Sequence, residues 1–378
     1  MPDVLIHGDT LRSPELRHEV PIGIGDAFLY AEHGGKRHVV ITSLEVPRLQ
    51  GLGFEVHPWD EYGLDELRKS GRSSEEIGDE VMVRAVQALG IERASVPAAF
   101  PLLIADRLRD AGVELQVDRA LFNGRRRVKN DAELAGIRRA QAAAEAGMSA
   151  ARDLLRRAKA NGSDVLQVDG EPLTSERLKV AIAQAFVEHG ATAEEFIVSH
   201  GAQSAIGHHM GEGAIREGET IVIDLWPRDN ESACSADMTR TFVVGDIPDE
   251  VAGWHRLCKE ALDRAVADTR AGVKARSVYD ATCEIFEGAG FPTQRTKEPG
   301  RVLEDGFFHS LGHGVGLEVH EQPLLGLTGH VDLLAGEVLA VEPGLYRQGV
   351  GGCRLEDLLL VTEDGAENLT SFPYDLTP

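Results

Sequence analysis

Ser310–Pro323 reads SLGHGVGLEVHEQP. Two histidines, His313 and His320, stand seven residues apart among three glycines, and Glu321 directly follows the second. Taken alone, the stretch fits a plain Gly-rich loop as well as it fits a site. What decides between the two lies in the apolar runs around it.

Four of those runs carry an isolated carboxylate. Asp224 ends IVID, Asp237 stands just before MTRTFVV, Glu342 follows VLAV and Glu356 precedes DLLLV. A buried carboxylate is costly unless it is paired or bound to a cation. Any one of the four reads as a salt-bridge partner. All four, together with a Gly-rich histidine segment, read as a metal centre. Oxygen-rich donors with one imidazole suit Mn²⁺, Co²⁺ or Zn²⁺. Their four charges balance two divalent cations, an arrangement that polarises a carbonyl and activates water near neutral pH.

Composition narrows the class. The chain has 378 residues, room for two domains and a large core, with an ordinary 42 % hydrophobic content. Its net charge of −23 repels phosphate backbones, so nucleic-acid binding is disfavoured. No apolar run approaches the roughly 18–20 residues of a membrane span. The start, MPDVLIHGDT, lacks a basic region followed by an apolar core, so the expectation is a cytoplasmic protein. The four cysteines, Cys234, Cys258, Cys283 and Cys353, form no CxxC pair and are expected as buried thiols.

The spacing of apolar residues predicts an α+β chain in two parts. In residues 1–129, RHVVITS, ERASVPA and VELQVD read as strands, alternating with helices over EEIGDEVMVRAVQALG and LLIADRLRDAG. This is a small α/β domain with no catalytic cluster. The boundary falls in RRRVKNDAEL, where Asn130 and Glu133 are placed for a capping box. In residues 130–378, Leu134, Ile137, Ala144, Met148, Ala151 and Leu155 recur at helical spacing. SERLKVAIAQAFVEHG, DEVAGWHRLCKEALDRAVADTRAG and ARSVYDATCEIFEGAG read as further helices. The strand-like runs are EEFIVSHG, ETIVIDLWP, TRTFVVGD, EVLAVEPGLY and CRLEDLLLVTED.

The ordered series Asp224, Asp237, His313, Glu342, Glu356, with the strings DMTRTF, GHGVGLEVHE, EPGLY and GCRLED, resembles the pita-bread metallopeptidases. That group includes methionine aminopeptidase, prolidase and aminopeptidase P. The resemblance runs from about Asn130 to Leu369, and it implies a pita-bread catalytic domain behind the smaller α/β domain. It implies two divalent metal ions, Mn before Co or Zn. Asp224 chelates one, His313 and Glu342 bind the other, and Asp237 and Glu356 bridge both. His320 and His208 match active-site histidines beside the metals, with His209 the alternative to His208 by one residue. His309 and Arg354 match substrate-side residues of the proline-directed members, and for Arg354 the role of structural partner to a carboxylate is equally open.

The chain departs from the family pattern in one place. Trp226 and Pro227 stand where a glycine is usual, and the turn between Asp224 and Asp237 is longer than the norm. The domain before Asn130 favours the prolidase and aminopeptidase P branch. The resemblance therefore implies an exopeptidase cleaving Xaa-Pro bonds, a peptide substrate, Glu342 as proton relay and a homodimer. Open beside it are a metallo-exopeptidase of broader specificity, a creatinase-like hydrolase working without metal, and an inactive pita-bread binding protein. Retention of all five ligands counts against the last two. Dipeptide and longer substrates are not distinguished.

Overall fold

The computed structural model describes residues 3–160, 162 and 164–378. The chain divides into two compact units, Met1–Arg126 and Arg127–Pro378.

In the first unit six strands form one sheet. Its spatial order is Glu55–Pro58, Lys36–Ile41, Phe28–His33, Asp3–Gly8, Arg93–Val96, Glu114–Val117. The three adjacent strands Lys36–Ile41, Phe28–His33 and Asp3–Gly8 pair antiparallel, and the outer pairings are parallel. Side chains alternate between the faces of a strand. Leu5, Leu29, Ala31 and Val40 accordingly pack with Val81, Val86, Ile104 and Leu108 of the helices Ser74–Leu89 and Leu102–Asp110. Val4, Ile6, Phe28, Tyr30, Val39 and Ile41 form a second core. Lys36–Ile41, Arg93–Val96 and Glu114–Val117 are the strands legible in the sequence, and Asp3–Gly8, Phe28–His33 and Glu55–Pro58 complete the sheet.

In the second unit Asn130 Oδ1 accepts the Glu133 N–H at 2.9 Å, while the Glu133 carboxylate accepts the Asn130 N–H at 3.0 Å. This capping box starts the 27-residue helix Asp131–Arg157. The helix packs on Ser175–Glu188, and glycine is needed at the crossing: a Cβ on Gly147 would lie 2.6 Å from the Phe186 ring. Asp249–Asp268 and Ala275–Gly288 form the other helix pair. Each pair closes its own core against strand residues: Ile182 and Phe186 with Ile223 and Ala340, and Trp254 and Phe286 with Leu339 and Val341. This strand-rich centre with helix pairs is the α+β layout expected from the sequence.

Three sheets carry the site. Ile197–His200, Ile221–Leu225 and Met238–Phe242 pair antiparallel. A five-stranded sheet runs Glu321–Leu325, Gly312–Gly314, Val338–Val341, Asp357–Val361, Ala366–Asn368, and a third joins Asp305–Gly306, Gly344–Arg347 and Gly351–Arg354. EVLAVEPGLY and CRLEDLLLVTED read in sequence as one strand-like run each, yet the fold breaks both. Val338–Val341 and Asp357–Val361 belong to the five-stranded sheet, whereas Gly344–Arg347 and Gly351–Arg354 belong to the three-stranded one. Glu342 and Glu356 fall at the two breaks. Among the described residues no helix is long and apolar enough to cross a membrane. All four cysteines are buried free thiols, as expected.

Candidate active site

The acidic residues converge because each lies at or beside the end of a strand at the same place. Asp224 lies on Ile221–Leu225 opposite Thr239, and Asp237 immediately precedes Met238–Phe242. His313 is the middle residue of Gly312–Gly314, between Leu324 and Ala340 on the neighbouring strands. A Cβ at Gly312 would stand 1.9 Å from the Ala340 carbonyl oxygen, so the glycines flanking His313 let the strands close around it.

Asp237, His313 and Glu356 are all buried, and one ligand atom of each lies within 4.8 Å of the others. His313 Nδ1 donates to the Gly314 carbonyl at 3.0 Å, which turns Nε2 toward Asp237 Oδ2 at 3.7 Å and Glu342 Oε1 at 3.8 Å. Glu356 Oε2 accepts from the Thr239 hydroxyl at 2.7 Å. Asp224 joins through Arg354, whose Nη2 donates to its Oδ2 at 2.6 Å.

The electrostatics are those of four crowded carboxylates with a single buried cation, Arg354, among them. Burial, then repulsion from Glu356, Asp224 and Glu342, holds the Asp237 carboxyl well above the usual carboxylate range. Burial and then Asp224 and Glu342 do the same to Glu356. Burial pushes Glu342 up to about 8. Burial, and then His320, pushes His313 down to about 4, which leaves a neutral imidazole with a free lone pair. Asp224 Oδ1 is buried with no hydrogen-bond partner. Neutral imidazole, crowded carboxylates and an orphaned carboxylate oxygen together form a donor set that fits hard or borderline divalent cations.

The remaining predicted residues surround this centre. The His320 ring meets the His313 ring edge-on at 4.3 Å between centroids. His208 is exposed and lies within electrostatic reach of both His309 and His320, lowering each. His209 instead accepts the Gly211 N–H on Nδ1 at 3.0 Å.

His309 and Arg354 meet at a residue that sequence reading did not single out. Arg354 Nη1 donates to the Tyr346 hydroxyl at 2.9 Å, and the same hydroxyl lies 2.9 Å from His309 Nε2. His309 Nδ1 lies 2.7 Å from the Ser310 carbonyl, which can only accept. Hydrogen-bond direction is thereby fixed along the chain. His309 carries its proton on Nδ1, Nε2 is the acceptor, and Tyr346 donates to it while accepting from Arg354. Burial lowers the His309 pKa to about 3, so the ring is neutral. Both of its nitrogens are occupied within the protein. A buried tyrosine hydroxyl needs a partner, but nothing in EPGLY reveals which one.

Thr239 was also missed, although DMTRTF contains it. So was the anchor of the His320 loop: Glu321 pairs with Lys129 with both side chains 2 % exposed, and its Oε1 accepts the Glu318 N–H. The glutamate after the second histidine fastens the loop that carries it.

The unusual Asp224–Asp237 turn folds onto the long helix. Arg139 grips Asp229 through two bonds of 3.0 and 2.8 Å, and Ser232 donates to Asp229 at 2.7 Å. Gly136 leaves room for Ser232, whose Oγ would be 2.0 Å from a Cβ there. Trp226 packs against the helix-pair core.

Residues 135–363 match Metallopeptidase family M24. A probable dipeptidase PepE of Mycobacterium tuberculosis is 30 % identical over 353 residues, which cover 90 % of this chain and 82 % of that one. An Xaa-Pro dipeptidase of Pyrococcus furiosus is 35 % identical over 181 residues, 48 % of each chain. Among solved structures, an Xaa-Pro dipeptidase from Bacillus anthracis superposes with a TM-score of 0.79 at 23 % identity, covering 100 % of this chain and 94 % of that one. A dipeptidase PepE from Mycobacterium ulcerans gives 0.76 at 26 %, covering 100 % and 93 %. Prolidase from Pyrococcus furiosus gives 0.76 at 22 %, covering 99 % and 97 %. With the pita-bread layout, the buried acid and histidine cluster and these matches together, the chain belongs to metallopeptidase family M24.

Proposed function

We propose that this peptidase is a dinuclear-metal exopeptidase that hydrolyses Xaa-Pro bonds. The observation carrying the proposal is the buried Asp237, His313 and Glu356 cluster in a chain of this family. Asp224, Asp237, His313, Glu342 and Glu356 hold two divalent ions, manganese first. When bound, the ions supply polarisation of the scissile carbonyl and a water acidified to near neutral pH. Glu342 takes up a proton and returns it to the leaving amine. His320, beside His313, donates to the oxygen of the tetrahedral carbon, and His208 assists from the solvent side.

Proline offers no N–H to its carbonyl partner, so its site is built by shape. The internal bonds of His309 and Arg354 support them as the wall and brace of that pocket rather than as hydrogen-bond donors to substrate. The relatives named as Xaa-Pro dipeptidases favour proline over the broader metallo-exopeptidase reading. The protein acts in this reading as a cytoplasmic homodimer.

The test is metal removal and reconstitution with a peptide panel. Chelation abolishes activity, and Mn²⁺ restores it at about two ions per chain. Xaa-Pro peptides are cleaved at least about tenfold faster than Xaa-Ala, roughly 1.4 kcal/mol in the transition state. Full activity after chelation refutes the metal reading, and equal kcat/KM for proline and alanine refutes the proline reading. Cleavage of dipeptides alone marks a prolidase, and cleavage of Xaa-Pro-Yaa an aminopeptidase P.

A further inference from the structure

Arg240 is 1 % exposed and takes no part in the chemistry above. Its guanidinium has five N–H bonds to give, and the structure provides five acceptors. Nε donates to the Pro373 carbonyl at 2.9 Å. Nη1 donates to the Thr239 carbonyl at 2.9 Å and the Glu356 carbonyl at 2.7 Å. Nη2 donates to Asp357 Oδ1 and the Phe372 carbonyl, each at 2.9 Å. The plane lies over the Tyr374 ring at 4.4 Å. Asp357 is completed on its other oxygen by Asn368 at 2.6 Å and the Tyr374 hydroxyl at 2.5 Å.

This hub holds Glu356 by its backbone. The Glu356 carbonyl is fastened to Arg240, its N–H donates to the Thr239 carbonyl at 3.1 Å, and its side chain receives the Thr239 hydroxyl. Glu356 stands where the chain passes from one sheet to another, so ladder pairing on a single sheet does not fix it. We propose that Arg240 is a positioning residue for the Glu356 carboxylate, and that Phe372–Tyr374 acts as a lock by saturating Arg240 and Asp357. The proposal rests on the reading that Glu356 holds metal.

Outer partners that orient a ligand typically contribute about 10–100-fold to metal affinity. Lysine cannot reproduce the planar five-donor fork. The experiment is calorimetric titration of Mn²⁺ into chelated, full-length protein, with circular dichroism as the check on folding. Arg240→Lys weakens Mn²⁺ binding at least about tenfold. Tyr374→Phe, which removes one hydroxyl and preserves packing, weakens it by a smaller factor, roughly two- to fivefold. The control is Arg125→Lys, which disturbs a similar guanidinium bonded to Glu19 and Glu32 in the first unit and leaves Mn²⁺ binding unchanged. Should Arg240→Lys fail to fold, Tyr374→Phe decides alone. Wild-type affinity in a folded Arg240→Lys, or in Tyr374→Phe if that variant stands alone, overturns the proposal. An equal loss in Arg125→Lys overturns it as well, because the effect is then general destabilisation. Normal Mn²⁺ binding by Glu356→Gln would instead sink the underlying metal reading.

Discussion

Replacing Tyr346 with phenylalanine removes one oxygen atom and leaves the ring packed between Phe308 and His309, whose centroids lie 4.9 and 5.4 Å away. That oxygen is the only link between Arg354 and His309 along the bonded chain described above. Its loss removes a charge-assisted bond from Arg354 and a neutral one to His309 Nε2. The side chain is 1 % exposed, so water does not readily replace either bond. A hydrogen bond to a charged group contributes about 1.5–3 kcal/mol and a neutral one about 0.5–1.5, giving roughly 2–4 kcal/mol of lost stability. Urea unfolding of the metal-free protein measures this directly. Nitrogen-15 NMR of the histidines provides a second reading: wild-type His309 shows the Nδ1–H tautomer only, and Tyr346→Phe releases that constraint. Metal content stays at the wild-type level while kcat/KM for Xaa-Pro substrates falls. A stability loss below about 0.5 kcal/mol, or an unconstrained His309 in the wild type, refutes the bonded chain.

Three further outcomes are expected. His320→Ala keeps near-normal metal content and loses on the order of 10²-fold in kcat, whereas His313→Ala loses metal affinity, and equal metal loss in both breaks the division of labour. In the half-buried pair of His200 Nδ1 and Glu219 at 2.8 Å, burial opposes the charge on both groups. The mutual bond, the Glu212 carbonyl on His200, the Arg216 N–H on Glu219 and the neighbouring charges together outweigh it, raising His200 above 6.5 and lowering Glu219 below 4.5. The Glu219 contribution is lost as pH falls through its lowered pKa, and the His200 contribution is lost as pH rises through its raised one. The stability gap between wild type and His200→Gln is therefore widest between 4.5 and 6.5, and a gap flat across this range and above it rejects the linkage. Gly136→Ala gains about 1 kcal/mol of helix propensity, but its Cβ strikes Ser232, so the net result is a loss of about 1–3 kcal/mol. Adding Ser232→Gly recovers most of that loss in the same thermal melt.

The four long helices of the second unit, and Ser74–Leu89 and Leu102–Asp110 of the first, were legible because apolar spacing and capping residues are local signals, as at Asn130 and Glu133, whereas Pro14–Glu19 and Arg119–Arg127 were not. The strands Asp3–Gly8 and Phe28–His33 were less so, since DVLIHG and FLYAEH are short and their partners lie elsewhere in the chain. Candidate ligands were readable as carboxylates at the ends of apolar runs. Their supporting bonds were not. Thr239, Tyr346 and Arg240 act through partners more than 100 or, for Tyr346, 37 residues away in His309, and no periodicity encodes such a contact. The breaks at Glu342 and Glu356 were hidden for a related reason: a run of β-forming residues does not announce a change of sheet.

Glu342 and Glu356 stand at the two feet of one hairpin, and Leu355 N–H bonded to the Pro343 carbonyl at 3.3 Å ties the feet together. At the other end, the tip holds Gly349 at φ 76° and a half-exposed Val350. Length inserted at that tip leaves the feet where they are, whereas a single residue inserted below the tie changes the separation of two ligands. For protein engineering, the tip is thus a graft point that leaves the centre unrebuilt. Across diverging sequences, the same geometry lets the tip vary in length while the base stays constant.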